Sequence, residues 1–126
     1  MLLESQHLKH KSFNYKNKAG LKCRYHGYAN KKNKLHTGYG IRITDKSIEE
    51  GEWYKGALYG RARIIDKHWN IKTGLFENNQ PRYIESFDDD NKNYHIKSYI
   101  KCGEEMKLHG LCTKYTQKGD KFEYYY

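Results

Sequence analysis

The chain has 126 residues, of which 37% are hydrophobic and 15% aromatic, with 13 tyrosines and a formal net charge of +9. That length fits one domain or one short array, the low apolar content argues against a large packed globule, and no segment approaches the length of a membrane span. The positive charge favours anionic partners, although a solvated lysine-rich surface is the simpler account of it, and acidic runs at Glu49-Glu50-Gly51-Glu52, Asp88-Asp89-Asp90 and Glu104-Glu105 break the field.

In chain order, residues 1–12 read as an extension or leading strand, and Met1 to His7 hold no apolar run long enough for a signal peptide. From there two series of turn signals alternate. One runs Lys16 to Gly20, Thr44 to Ser47, Asp66 to Asn70, Asp88 to Asn93 and Gln117 to Asp120; the other runs Asn30 to Asn33, Tyr54 to Gly56, Glu77 to Pro81 and Lys101 to Glu105. Between them lie runs of β-branched and aromatic alternation, such as Gly40 to Thr44, Arg61 to Ile65 and Leu111 to Thr116. Alternation bounded by Gly, Asn and Asp predicts antiparallel strands and hairpins. No stretch has helical periodicity. The fold class expected is all-β, a continuous meander of about ten short strands, two to each repeat.

The repeat itself is a phrase that returns about every 23 residues. Gly27, Gly51 and Gly74 are spaced 24 and 23 apart, and Trp53, Phe76 and Tyr99 are spaced 23 and 23 apart. A fixed short period is the mark of a stacked array. Glycine recurring inside strands implies close backbone approach or a sharp bend. The expectation is that each repeat's aromatic lies over the bare backbone of a neighbouring glycine, so that a side chain at Gly60 or Gly74 lifts the ring. Gly27, Gly51, Trp53, Gly60, Gly74, Phe76, Tyr99 and Gly110 are read as the structural spine of the repeats.

At Gly51-Glu-Trp-Tyr-Lys-Gly56 with Leu58-Tyr-Gly60, the chain resembles the MORN repeat (membrane occupation and recognition nexus). The His-Gly element follows as Leu35-His-Thr-Gly38-Tyr-Gly40 and as Leu108-His-Gly110-Leu-Cys112, which marks His36 and His109 as structural. In the third repeat Tyr83-Ile-Glu85 stands where Gly-x-Gly is expected and Asn79 replaces a glycine, while insertions lengthen the loops near Asn30 to Lys34 and Lys101 to Lys107. The resemblance covers residues 13–126, divided roughly as 13–24 (partial), 25–48, 49–71, 72–94 and 95–126. It implies an elongated, twisted, single-layer sheet acting as a non-catalytic adaptor or structural subunit that joins proteins. It also implies a cytoplasmic setting, at the cytoskeleton, a cilium or the cytoplasmic face of a membrane. Binding of anionic phospholipid is the alternative that the resemblance brings with it.

Candidate sites follow from residue type. Exposed aromatics at Tyr28, Tyr39, Tyr54, Tyr59 and Trp69 are the partner-binding candidates, since Tyr and Trp anchor interfaces. Lys31, Lys32, Lys34, Arg61 and Arg63 are the anion-binding candidates, with Arg61 and Arg63 two apart and therefore on one side of a strand. Basic residues interleaved with aromatics also suit nucleic acid, but no nucleic-acid motif of known spacing occurs, and that partner is disfavoured. The closing run Lys121-Phe-Glu-Tyr-Tyr-Tyr126 reads as an aromatic edge strand. Edge strands invite pairing, so Tyr124, Tyr125 and Tyr126 are candidates for a partner or a second copy.

No nucleophile elbow, phosphate loop or dinucleotide fingerprint occurs. No His, Cys or carboxylate set has metal-ligand spacing, and Asp88 to Asn91 lack the alternating ligands of an EF-hand. No enzyme, cofactor or metal is expected. Cys23, Cys102 and Cys112 are read as free thiols of a reducing compartment.

Overall fold

The computed structural model describes residues 8–32, 35–102 and 104–126, and every regular element in them is a strand. The strands are β1 Leu8–Lys16, β2 Lys22–Asn30, β3 His36–Ile43, β4 Ser47–Tyr54, β5 Ala57–Asp66, β6 Ile71–Glu77, β7 Gln80–Asp88, β8 Asn93–Cys102, β9 Glu105–Leu108, β10 Leu111–Tyr115 and β11 Lys121–Tyr125. They form one antiparallel sheet in the order β1 to β8, then β10 and β11, with β9 also paired to β8. This is the expected all-β meander.

Both series of turn signals fall on hairpin connections, at opposite ends of the sheet, and each series has its own chemistry. At one end polar side chains hold the turns. The Asn17 carboxamide oxygen accepts from the amides of Ala19 and Leu21, the Thr44 hydroxyl from those of Lys46 and Ser47, and the Asp66 carboxylate from those of His68 and Asn70. Asx and Ser/Thr turns of this kind replace backbone pairing with side-chain acceptors. At the other end, Lys55-Gly56 and Asn78-Asn79 both sit at positive φ, as two-residue hairpin turns require to match strand twist.

Register reveals a recurrent irregularity. Opposite Tyr28, β3 carries three residues between Gly40 and His36, and opposite Glu52, β5 carries three between Ala62 and Leu58. On β7 one extra residue, Arg82, intrudes between Tyr83 and Pro81. The break between β9 and β10 is the fourth copy: the residue-number sum of β8 pairs changes from 209 (Ile96 with Thr113) to 207 (Tyr99 with Leu108). Gly38, Gly60 and Gly110 occupy these bulges at positive φ. The segment expected as a lengthened loop at Lys101 to Lys107 is instead mostly strand, since β8 runs to Cys102 and β9 begins at Glu105.

Paired positions share a face of a sheet, so the ladder assigns every strand residue to one of two faces. One face holds the core: Tyr25, Ala29, Trp53, Leu58, Ala62, Phe76 and Ile84, with Phe13, Tyr15, Ile64 and Tyr99 packed against them. His36 is buried among them, its ring stacked on Tyr25 at 3.7 Å between centroids, and the Tyr15 hydroxyl lies 2.8 Å from its Nε2. Across the middle of the sheet a row of small residues runs perpendicular to the strands, Gly27, Gly40, Gly51, Ala62 and Gly74, each paired with the next.

The expected ring-on-glycine packing occurs at a different glycine. A Cβ on Gly40 would strike the Tyr25 ring, and Trp53 Nε1 donates to the Gly40 carbonyl at 3.0 Å. A Cβ on Gly74 would instead strike the backbone of Tyr83 and Ile84, and one on Gly60 the Glu52 carboxylate. No ring depends on Gly60 or Gly74. The physical reason is that the space above Gly74 is taken by the backbone of the neighbouring β7, and Gly60 lies in a bulge that the Glu52 side chain fills.

Candidate functional site

The second face of the sheet has no layer packed against it among the described residues. At its centre, strands β3 to β7 form an open groove of about 610 Å³. Gly51, Ala62 and Gly74 line its floor, and Tyr39, Arg61, Leu75 and Tyr83 rise around it. Tyr39 and Leu75 are 52% and 46% exposed, so these are large apolar surfaces left in water. A smaller depression of about 400 Å³ adjoins it, bringing in Tyr59, Glu77 and Tyr99 beside the same Leu75 and Tyr83.

The groove's polar groups are ordered by one network. The Tyr39 hydroxyl donates to Glu50 Oε2 at 2.7 Å, and Arg63 Nη2 pairs with Glu50 Oε1 at 2.8 Å. The hydrogen bond to Glu50 is the main reason the Tyr39 pKa is raised, with burial second. Reciprocally, that bond foremost, with the Arg63 charge, holds the Glu50 carboxyl below its ordinary range against the opposing effect of burial. Tyr83 donates to Glu85 at 3.1 Å, and Glu52 accepts from the Arg61 amide at 3.0 Å. The groove's carboxylates are therefore engaged. The Arg61 guanidinium, by contrast, has no ion-pair partner among the described residues.

The sequence candidates distribute as follows. Tyr39 stands on the groove wall, and Tyr59 on the adjoining depression with its hydroxyl 3.3 Å from Glu77 Oε1. Tyr28 is on the same face but toward the β1 edge, its ring edge-on to His10 at 5.2 Å. Tyr54 caps the end of β4 against Tyr59 at 6.0 Å, with Lys55 Nζ over its ring. Trp69 lies at the opposite end of the sheet, in the β5–β6 turn, at a φ of 66° and 69% exposed. Tyr124 and Tyr125 are on β11, last in the strand order, and Tyr126 continues the pairing by exchanging both backbone hydrogen bonds with Gly110.

Arg61 and Arg63 do share one side of β5, as their spacing requires. Lys31 and Lys32 belong to the β2–β3 turn at the sheet's end, and Lys34 lies outside the described residues. The four described anion-binding candidates are thus not gathered into one patch. Of the spine, Trp53 and Phe76 are core residues and Tyr99 packs against the core, whereas Gly110 has open space where a side chain would go. His36 is buried but His109 is exposed. Leu75 and Tyr83 escaped selection from sequence. Their only signal is alternation with buried Phe76 and Ile84, and that does not reveal which face stays uncovered.

Among the described residues no group of three His, Cys, Asp or Glu is placed to hold a metal ion, and no helix is long and apolar enough to cross a membrane. The three cysteines are unpaired, Cys23 and Cys112 buried and Cys102 exposed. No protein-family model matches the chain, and no curated protein matches it.

Proposed function

We propose that this chain is a MORN-type, non-catalytic adaptor that binds another protein through the groove on the uncovered face of its sheet. The observation that carries the reading is the groove itself, where exposed Tyr39 and Leu75 surround a floor of small residues and a single uncommitted guanidinium, Arg61. Rigid aromatic and arginine side chains around a recess are what interface hot spots are made of. Repeat arrays use such extended surfaces for binding rather than chemistry. The motif phrases at Gly51 to Gly60 and Leu35 to Gly40 support the family reading, and the cytoplasm is the setting it implies.

Peripheral binding to anionic lipid is less well supported, because Arg61 and Arg63 lie centrally while Lys31 and Lys32 lie at the sheet's end. Pull-down of tagged protein from its native cell, at physiological and high salt, separates the two. A stoichiometric protein partner that survives high salt and is lost with Leu75→Glu supports the adaptor. Recovery of lipid or nucleic acid alone, released by salt, refutes it, since charge-held contacts are screened.

A further inference from the structure

Away from the groove, the uncovered face carries a second feature that only the register exposes. Ile43 pairs with Ile48, Ile48 with Ile65, Ile65 with Ile71, Ile71 with Phe87, and Phe87 with Tyr94. Tyr115 continues the row from β10. These residues share a face and form an unbroken apolar stripe across seven strands, close to the turns. Six strand spacings of about 4.8 Å make it roughly 29 Å long, which is the length of about 20 helical residues. At its β3–β6 end the stripe dips into a recess of about 280 Å³ lined by Ile43, Ile48, Ile65 and the exposed Trp69.

Charge selects the occupant. On this face Glu50, Glu52, Glu85 and Glu123 are all engaged in hydrogen bonds or ion pairs within the sheet. Arg24, which heads the row by pairing with Ile43, has no carboxylate partner among the described residues, and neither has Arg61. At the recess Lys46 and Lys67 stand beside Asp45 and Asp66, so the charges there balance and Arg24 is the unmatched cation of the row. A second copy laid antiparallel on the stripe would set Arg24 against the far end at Lys121, whose partner Glu123 is already engaged, and would offer Arg24 no free carboxylate. An anionic bilayer would meet Asp45, Asp89 and Asp90 in the same tier of turns.

We propose that the stripe receives an amphipathic helix of a partner protein, with an apolar ridge on Ile48 and Ile65, one large side chain in the recess beside Trp69, and acidic residues toward Arg24. The proposal rests on the adaptor reading and names its partner's chemistry. A stripe of apolar positions at i, i+3, i+4 and i+7 is the helical counterpart of such a row.

The test is a display library of random peptides of about 20 residues selected on the immobilised full chain. The expected result is enrichment of peptides with apolar residues at helical spacing beside Asp or Glu. An enriched peptide gains helicity on binding and shifts Trp69 emission to the blue. The Ile48→Thr/Ile65→Thr double variant weakens it about tenfold or more, as loss of two buried isoleucine contacts requires. Trp69→Ala, in a turn and safe for folding, weakens it as well, and Arg24→Glu removes the preference for acidic peptides. The proposal is overturned if nothing enriches, if the enriched peptides lack helical spacing, or if both stripe variants bind them as the parent does. It is also overturned if the stripe variants abolish self-association or vesicle binding instead. If Leu75→Glu abolishes peptide capture and the stripe variants do not, the stripe fails while the adaptor reading stands. Loss of every protein partner in the native pull-down is the separate failure of that reading.

Discussion

His36 shows how a single residue couples burial to pH. Its ring is sealed between Tyr25 and Trp53, and its Nδ1 has no hydrogen-bond partner. We assign the neutral ring's proton to Nε2, directed at the Tyr15 hydroxyl, so that Nδ1 keeps only a lone pair. A second proton would enter a buried site with no acceptor. Burial, and secondarily the Arg42 charge, accordingly lower the His36 pKa from 6.5 to about 4. The sign follows by linkage: between those values the unfolded chain binds a proton that the folded chain refuses. Stability attributable to His36 is therefore complete above about pH 6.5 and is lost as pH falls toward 4. Urea midpoints across this range should decline in the parent and decline less in His36→Phe; equal slopes would refute the assignment. Gly74 makes a steric prediction at the same scale. Its φ is ordinary, but a Cβ would meet neighbouring backbone that cannot swing aside. Gly74→Ala should cost about 3 kcal/mol or more by overpacking. Gly119→Ala, with open space around it and a φ of 90°, should cost only about 1–2 kcal/mol of backbone strain. Chemical denaturation ranks the two.

At the scale of the element, hairpin turns were the most legible part of the fold because their chemistry is local. Asp66 to Asn70 and Thr44 to Ser47 carry their own acceptors, so sequence alone locates them. The bulges were not legible. Gly38, Gly60 and Gly110 announce a special backbone, but only cross-strand register shows that β3, β5 and the β9–β10 pair each gain residues over their neighbour. For the same reason Lys101 to Lys107 reads as an insertion although it is mostly strand. The Asn78-Asn79 turn ties one repeat to the previous one: the Leu58 amide donates to Asn79 Oδ1 at 2.8 Å, and the Asn79 amide to the Leu58 carbonyl at 3.0 Å. Asn79→Gly keeps the positive φ but strands a buried donor, and should cost about 1–3 kcal/mol. Asn79→Ala adds φ strain and should cost about 1–2 kcal/mol more. Thermal unfolding of the pair separates the hydrogen bond from the backbone term, and equal losses would show that φ contributes nothing.

For the whole molecule, stability is distributed along a line. The core cluster spans β2 to β7, with Phe13 and Tyr15 added from β1, whereas every residue of β11 is exposed. Arrays whose units touch only their neighbours open from their weakest stretch. Amide exchange should be slowest near Trp53 and Leu58 and fastest in β11; uniform protection would contradict this gradient. The repeat period made a one-dimensional array legible, and Trp53 and Phe76, which recur with it, lie in the core. It gave no indication of which face holds the core, because both faces carry aromatics and the difference lies in which side chains pack on one another. Leu75 and Tyr83, and the row from Ile43 to Tyr94, are far apart in sequence and meet only through register.

The central claim is that this uncovered face is the binding surface. Hydroxyl-radical footprinting of the protein, free and in its purified native complex, tests it most directly. The account predicts that Tyr39 and Leu75 lose reactivity in the complex while Tyr124, on the opposite face, keeps it. Unchanged labelling at Tyr39 and Leu75, with protection confined to the core-side face, would contradict it.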